Sequence, residues 1–375
     1  MMSQRISNIE VKKNNRNQIF RYINNHQRIS KQEIANVLGM SMPTVLQNTN
    51  ELLERGLIHE VGEFDSTGGR KAKMIDSVSN ARFAVGLDIT KNHISLVLTN
   101  LSGNVLNHIR IHKPFLFTDK YFKELGEQIA LFIEKTSVPT EKILGVGISI
   151  PGIIDPVNKK IAFSHALGIS DVMCDKFTQF VPYSCIFIND ANAAGIAELR
   201  GMEEKHNFVY ISLSNSVGGA IILDHKLYLG ENWRSGEFGH FSLVPNGKRC
   251  YCGKLGCVDV YCSAKNLSQN TNENLKQFFD QLAAGDENLQ TIWEEYLSYL
   301  AIVVNNLRMA FDCNVIIGGY VGSFIEPYLK DLQEKSASLN IFGLNAQYIQ
   351  SCRYRLEASA LGAALQHIET FISTI

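Results

Sequence analysis

Residues 185–198 read Cys185-Ile-Phe-Ile-Asn-Asp-Ala-Asn-Ala-Ala-Gly-Ile-Ala-Glu198. The short apolar run Cys185–Ile188 predicts a buried strand, and Asn189-Asp190 opens a helix that continues through Glu198. Ligands of open α/β sheets bind beyond the carboxyl ends of strands, so at this junction a side-chain carboxylate faces a cleft. Asp190 can accept a hydrogen bond from a sugar hydroxyl or act as a general base on one. The plainer reading of Asn189 and Asp190 is a helix N-cap.

The surrounding sequence repeats this alternation. Phe83–Ile89, Ser95–Leu98 and Val105–Ile111 read as strands, with a turn at Leu101–Asn104. A helix follows at 119–136, then strand Leu144–Ile150 running into Pro151-Gly152. A second strand set occupies 207–223, and a long helix at 289–311 precedes strand Val315–Ile317 and Gly318-Gly319. Strands interleaved with helices predict an α/β domain with mixed sheets, and the similarity of the two strand sets predicts two related lobes around a cleft.

The first 75 residues differ in kind. They carry a net charge of +4, against −5 for the remainder, as a nucleic-acid-binding head on an acidic body would. Ile19, Phe20, Tyr22 and Ile23 have helical spacing within 14–26. Ser30-Lys-Gln-Glu33 has the form of a capping box for a second helix that stops at Gly39. Ser41 and Pro43 suit the start of a third helix, which ends at Gly56. On it, Val45, Thr49, Leu52 and Leu53 share one face and Thr44, Gln47, Asn48 and Glu51 the other. Leu57–Val61 and Arg70–Ile75 complete a winged helix-turn-helix. Thr44, Gln47 and Asn48 are the candidates for base edges in a major groove, and Arg70 and Lys71 for phosphate or a narrow minor groove. A chain of 375 residues exceeds one ordinary domain, and the boundary is placed at 76: head 1–76, body 77–375.

His240, Cys250, Cys252 and Cys257 follow the order His-x9-Cys-x-Cys-x4-Cys. One imidazole and three thiolates complete tetrahedral zinc and leave no open position, so the site is expected to be structural. Cys262 competes as the fourth ligand. Glu237 lies three residues before His240, so fixing His240 also places Glu237, and Asp259 follows Cys257 by two. No apolar run approaches the length of a membrane helix and the N-terminus lacks a signal-peptide core, so a cytoplasmic protein without a membrane partner is expected.

Gly236-Glu-x-Gly-His240, Cys250-x-Cys-Gly-x-x-Gly-Cys257, Asn189-Asp-Ala-Asn-Ala-Ala194, Pro151-Gly152 and Val315-Ile-Ile-Gly-Gly319 together resemble the ROK family of repressors and sugar kinases. The head looks like that of the repressor branch, the xylose and N-acetylglucosamine repressors. The resemblance implies an actin/hexokinase-like (ribonuclease H-like) two-lobed body with structural zinc. It also implies a sugar pocket formed by Gly152, Asn189, Asp190, Glu237, His240 and Asp259. Asp190 stands where the kinases keep their base, and Asp259 where the family has glutamate.

Two departures bear on activity. The kinases' first phosphate loop, Asp-x-Gly-Gly-Thr, reads here Asp88-Ile-Thr-Lys-Asn92. The second, Gly-Thr-Gly-x-Gly-x-Gly, reads Ser214-Asn-Ser-Val-Gly-Gly-Ala220. Side chains replace glycines that would let backbone approach phosphate. ATP is therefore not expected as a cofactor. A non-enzymatic, sugar-responsive repressor is expected, acting as a homodimer or homotetramer on operator DNA with a sugar or sugar phosphate as effector. An ATP-dependent hexose or amino-sugar kinase with an appended DNA-binding domain is the alternative, with Asp190 as its catalytic residue.

Overall fold

A computed structural model describes residues 8–63, 73–202, 207–343 and 345–375. The body holds two five-stranded sheets of the same topology. In the first, a meander of Phe83–Ile89, His93–Asn100 and Val105–His112 is extended beyond its first strand by Ile143–Ile150 and Cys185–Asn189, both parallel. In the second, Phe208–Leu213, Val217–Leu223 and Lys226–Leu227 form the meander, and Asn314–Gly318 and Ile349–Ser351 the parallel extension. This duplicated order is the actin/hexokinase-like body, with two lobes. Every residue of Phe83–Ile89 is buried, as a central strand covered on both faces requires.

Two helices cross-brace the lobes. Helix Asp190–Arg200 leaves the last strand of the first sheet and packs on Val217–Leu223 of the second, where a Cβ on Gly195 would lie 2.5 Å from that of Ala220. Helix Ala358–Thr374 follows the last strand of the second sheet and packs on the first. Its backbone comes so near that a Cβ on Gly147 would fall 1.9 Å from the Ala363 carbonyl oxygen. A Cβ on Gly362 would fall 1.7 Å from the Ala193 carbonyl oxygen, on the other helix. Small residues thus set the spacing of this pair and hold it at the base of the cleft.

The head has helices Asn8–Asn25, Lys31–Leu38 and Met42–Glu54. Its antiparallel wing pairs Lys73–Ser77 with both Ile29–Ser30 and Ile58–Glu63. Ser30 caps the second helix by accepting from Glu33 N at 3.1 Å, and Gly39 ends it at φ 61°. The reciprocal half of the expected capping box is replaced: Glu33 instead accepts from the Tyr22 hydroxyl at 3.0 Å.

The head and body share one buried core. Ile19, Phe20, Ile23, Ile34, Val45 and Leu52 of the head belong to the same apolar cluster as Leu361, Ile368 and Ile372 of the C-terminal helix. Polar contacts frame it: Arg21 pairs with Glu369 at 2.6 Å, and Asn17 Nδ2 donates to the Ser373 carbonyl at 3.1 Å.

Candidate sugar pocket, metal cluster and DNA-reading head

His240, Cys250, Cys252 and Cys257 present ligand atoms that all lie within 4.8 Å of one another. Cys252 Sγ and Cys257 Sγ are 3.7 Å apart, and Cys250 Sγ and His240 Nδ1 3.9 Å. Thiolates about 2.3 Å from a tetrahedral zinc sit about 3.8 Å from each other, so the donor set is compatible with structural zinc. Burial raises the Cys250 and Cys257 thiols, and a bound cation would favour their thiolate forms. Burial and the charge of Lys254 lower His240, favouring the neutral imidazole a metal needs. Cys262 is not part of this cluster; it is fully buried in helix Asp259–Cys262. The hairpin is shaped by Gly256, at φ 77°, where a Cβ would fall 1.7 Å from the Val244 carbonyl oxygen.

Asn189 is the N-cap of helix Asp190–Arg200. Its Oδ1 accepts from Asn192 N at 2.9 Å and its Nδ2 donates to the Gly152 carbonyl at 2.9 Å. Both ends of its amide therefore already serve the fold. Gly152, at φ 144°, needs to be glycine because a Cβ would meet the Phe163 carbonyl oxygen at 2.4 Å. Asp190 Oδ1 accepts from Ala191 N at 2.9 Å, and burial raises its carboxyl above the ordinary range. Glu237 is raised by burial and by the nearby Asp190 charge. The Asp190 charge thus bears on Glu237 of the other lobe, three residues before His240.

Asp259 is buried, and its Oδ1 accepts from Val217 N at 2.7 Å. That amide belongs to the loop corresponding to the kinases' second phosphate loop, so Asp259 here braces the loop, and burial raises its carboxyl to about 6. In the first loop Thr90 closes a tight turn, with Thr90 Oγ1 donating to the His93 carbonyl at 3.0 Å. Gly318-Gly319 turns over Tyr210, whose hydroxyl accepts from Gly319 N at 3.1 Å.

Two cross-lobe contacts were not foreseen from sequence. Arg110 Nη2, on the edge strand of the first lobe, donates to the Tyr320 hydroxyl of the second at 3.2 Å, with its guanidinium 5.3 Å from the ring centre. Tyr320 directly follows Gly318-Gly319, so a phenol ring and a cation lie beside that turn. On the other side of the metal loop, Tyr251 stacks on His165 of the first lobe with ring centres 4.0 Å apart.

Asp88 lies in the same cleft. It accepts from Ser149 Oγ at 2.7 Å, while burial and the neighbouring Asp190 push its carboxyl up to about 7. The folded chain therefore holds this proton more tightly than the unfolded chain. Asp88 destabilises the fold progressively as pH rises from about 4 to about 7, by up to about 4 kcal/mol, and no further above that. Asp88→Asn keeps an acceptor for Ser149 and is expected to melt higher than wild type at pH 8, the two curves converging near pH 4. An equal difference at both pH values would show that Asp88 is not held protonated.

In the head, Gln47 is exposed and Thr44 half-buried, its hydroxyl 2.8 Å from Ser41 Oγ. Asn48 corrects the sequence reading. It is 1% exposed and its Nδ2 donates to the Thr44 carbonyl at 2.8 Å, so it faces the head's interior and not a groove. Glu51 likewise turns to the first helix, where Arg16 and Lys12 pair with it. The exposed face of Met42–Glu54 is instead Pro43, Leu46, Gln47, Asn50 and Glu54. Arg70 and Lys71 lie outside the described residues. Among the described residues, no helix is long and apolar enough to cross a membrane.

The profile of the ROK family matches residues 84–369, and that of a winged helix-turn-helix DNA-binding domain matches 13–59. The chain is 30% identical over 319 residues to the xylose repressor of Bacillus spizizenii, covering 82% of each chain. A crystal structure of a ROK family transcriptional regulator, a homolog of the Escherichia coli MLC protein, superposes with TM-score 0.77 at 18% identity over 97% of each chain. The ROK hexokinase of Thermus thermophilus superposes with TM-score 0.63 at 25% identity, over 77% of this chain and 99% of that one.

Proposed function

The chain belongs to the ROK family, and from that premise we propose that it is a cytoplasmic, sugar-responsive DNA-binding transcriptional regulator, a repressor of carbohydrate-utilisation genes. The observation that carries this reading is the shared core. The head is not tethered loosely but packs on the C-terminal helix, whose first turn reaches the cleft: Ser359 Oγ donates to the Asp190 carbonyl at 3.0 Å. One rigid element therefore touches both the sugar-side carboxylate's own residue and the DNA-reading head.

The pocket chemistry supports a polyhydroxyl ligand. Asp190 and Glu237 are half-buried acceptors, and His240 offers its Nε2 when its Nδ1 is directed to the cysteines. A zinc ion held by His240, Cys250, Cys252 and Cys257 would fix the hairpin and, through His240, the position of Glu237; its contribution is structural. A sugar or sugar phosphate that engages both lobes favours one spacing of the cross-bracing helices. The C-terminal helix carries that preference to the head, and in a dimer to the relative placement of two recognition helices on paired half-sites. Linkage requires that operator DNA change sugar affinity by the same factor.

Asp190, and the likeness to the Thermus thermophilus hexokinase, favour a second reading as a sugar kinase. Against it stand the side chains in both phosphate loops and the Arg110–Tyr320 pair beside the Gly-Gly turn. The two readings part on one experiment. Wild-type protein is expected to show a sugar-dependent melting shift and a sugar-dependent change in operator binding, without sugar-dependent ADP release in a coupled assay. Asp190→Asn is expected to weaken sugar binding by about 1.5–3 kcal/mol, roughly ten- to a hundredfold, as loss of a charged hydrogen-bond acceptor does. ADP release that depends on sugar and vanishes in Asp190→Asn would establish the kinase instead.

A further inference from the structure

Tyr251 occupies the x position between Cys250 and Cys252, so whatever holds those sulfurs also aims its ring. The hairpin backbone is tight: Cys250 N donates to the Lys254 carbonyl at 2.8 Å and Gly253 N to the Cys250 carbonyl at 3.0 Å. From there the ring reaches the first lobe and lies on His165, 4.0 Å between centres with planes 12° apart. His165 sits in the turn between strands Lys160–Ser164 and Ile169–Met173, held by the Gly168 N bond to its carbonyl at 3.2 Å. The same phenol meets His240 edge-on, and its Oη is 3.3 Å from His240 Nε2.

That nitrogen is the one His240 has left. Its Nδ1 points at Cys250, so Nε2 is the atom available to a sugar hydroxyl, and a hydroxyl already stands on it. Tyr251 is 43% exposed, so its phenol stands at the rim of the pocket and not within it. Resting on the sugar-pocket reading above, we propose that Tyr251 is a tethered competitor for the ligand. Its phenol fills the place of a sugar hydroxyl on His240, while its stack on His165 bridges the lobes, and a monosaccharide must displace it to bind. The pocket then selects ligands whose hydroxyl array outcompetes one phenol, and binding breaks a cross-lobe contact that the empty protein keeps.

The test is calorimetric titration of full-length protein with D-xylose, D-glucose, N-acetyl-D-glucosamine and the 6-phosphates of the last two. Tyr251→Phe keeps the ring on His165 but removes the competing hydroxyl, so the Kd of whichever sugar binds is expected to fall several-fold, up to about tenfold. His165→Ala, which frees the ring, is expected to tighten binding in the same direction, with zinc content and melting temperature reporting that each variant is folded. In protein labelled at histidine nitrogens, the His240 Nε2 resonance is expected to move on Tyr251→Phe without ligand, and to move on sugar addition in wild type. A Kd unchanged or raised by Tyr251→Phe in a protein that binds sugar overturns the competitor and leaves the pocket reading standing. No binding by wild type or either variant to any of the five overturns the pocket reading, and the competitor with it.

Discussion

Cys257→Ser is expected to reduce bound zinc from about one ion per chain to a small fraction of that, and to abolish the sugar-induced melting shift. A serine hydroxyl stays protonated at neutral pH and makes a poor partner for a borderline-soft ion, so three ligands remain where four are needed. Cys257 is fully buried and its segment is stitched to the far side of the hairpin: it bridges Ser242, and Val258 N donates to the Phe241 carbonyl at 2.9 Å. Releasing it frees a hairpin with little apolar content of its own. His240 then loses the ion that would hold its Nδ1 beside Cys250, and Glu237 and Tyr251 lose their fixed origin. The melting temperature should fall by several degrees, as for loss of a native-state ligand. Cys262→Ala is the control: it opens a small cavity in the second lobe's core but should retain zinc and sugar response. Full zinc occupancy in Cys257→Ser, or an intact sugar titration in protein stripped by a chelator, would separate the cluster from the pocket.

The features legible in the sequence are those whose cause is local. Ligand spacing in 240–257 reports a metal cluster because four donors on one hairpin need no tertiary information. Strand runs such as Phe83–Ile89 are legible because a strand covered on both faces is apolar throughout. The recognition helix is legible in the sequence, but its phase is not. Thr44, Gln47, Asn48 and Glu51 do share a side of the helix, yet the first helix covers part of that side, and only its docking decides that Asn48 is inside and Asn50 outside. The C-terminal helix is hard to read from sequence for the opposite reason. Ala358-Ser-Ala-Leu-Gly-Ala-Ala-Leu365 shows no polar face because the first sheet, the helix Asp190–Arg200 and the head cover it from several sides. Its signal was composition, a run of alanine, glycine and leucine dense enough to let backbones touch. Contacts that join the lobes, Arg110 to Tyr320 and His165 to Tyr251, depend on how the sheets are set and leave no mark along the chain.

Replacing Ile368 and Ile372 together by alanine is expected to uncouple the head from the pocket. Both are fully buried in the cluster that joins the head to the C-terminal helix, and each truncation should cost about 2–5 kcal/mol of packing there. The recognition helix keeps its own cap and its exposed face, with Ser41 Oγ accepting from Thr44 N at 3.3 Å, so operator affinity without sugar should fall far less than the coupling does. What should disappear is the effect of sugar on that affinity, from the roughly 5–150-fold typical of linked sites towards none. Ile129→Ala provides the matched control, since Ile129 is equally buried in the first lobe but on the helix Asp119–Lys135, away from the head. It should lower stability while sparing the sugar response. The Arg21–Glu369 pair is not expected to preserve coupling alone, because half-exposed ion pairs hold elements together weakly. Calorimetry should then show the head melting separately from the body, with sugar still binding the body at its original Kd. A doubly truncated protein whose head melts independently, yet whose operator affinity still responds fully to sugar, would mean that the signal travels by some element other than this helix.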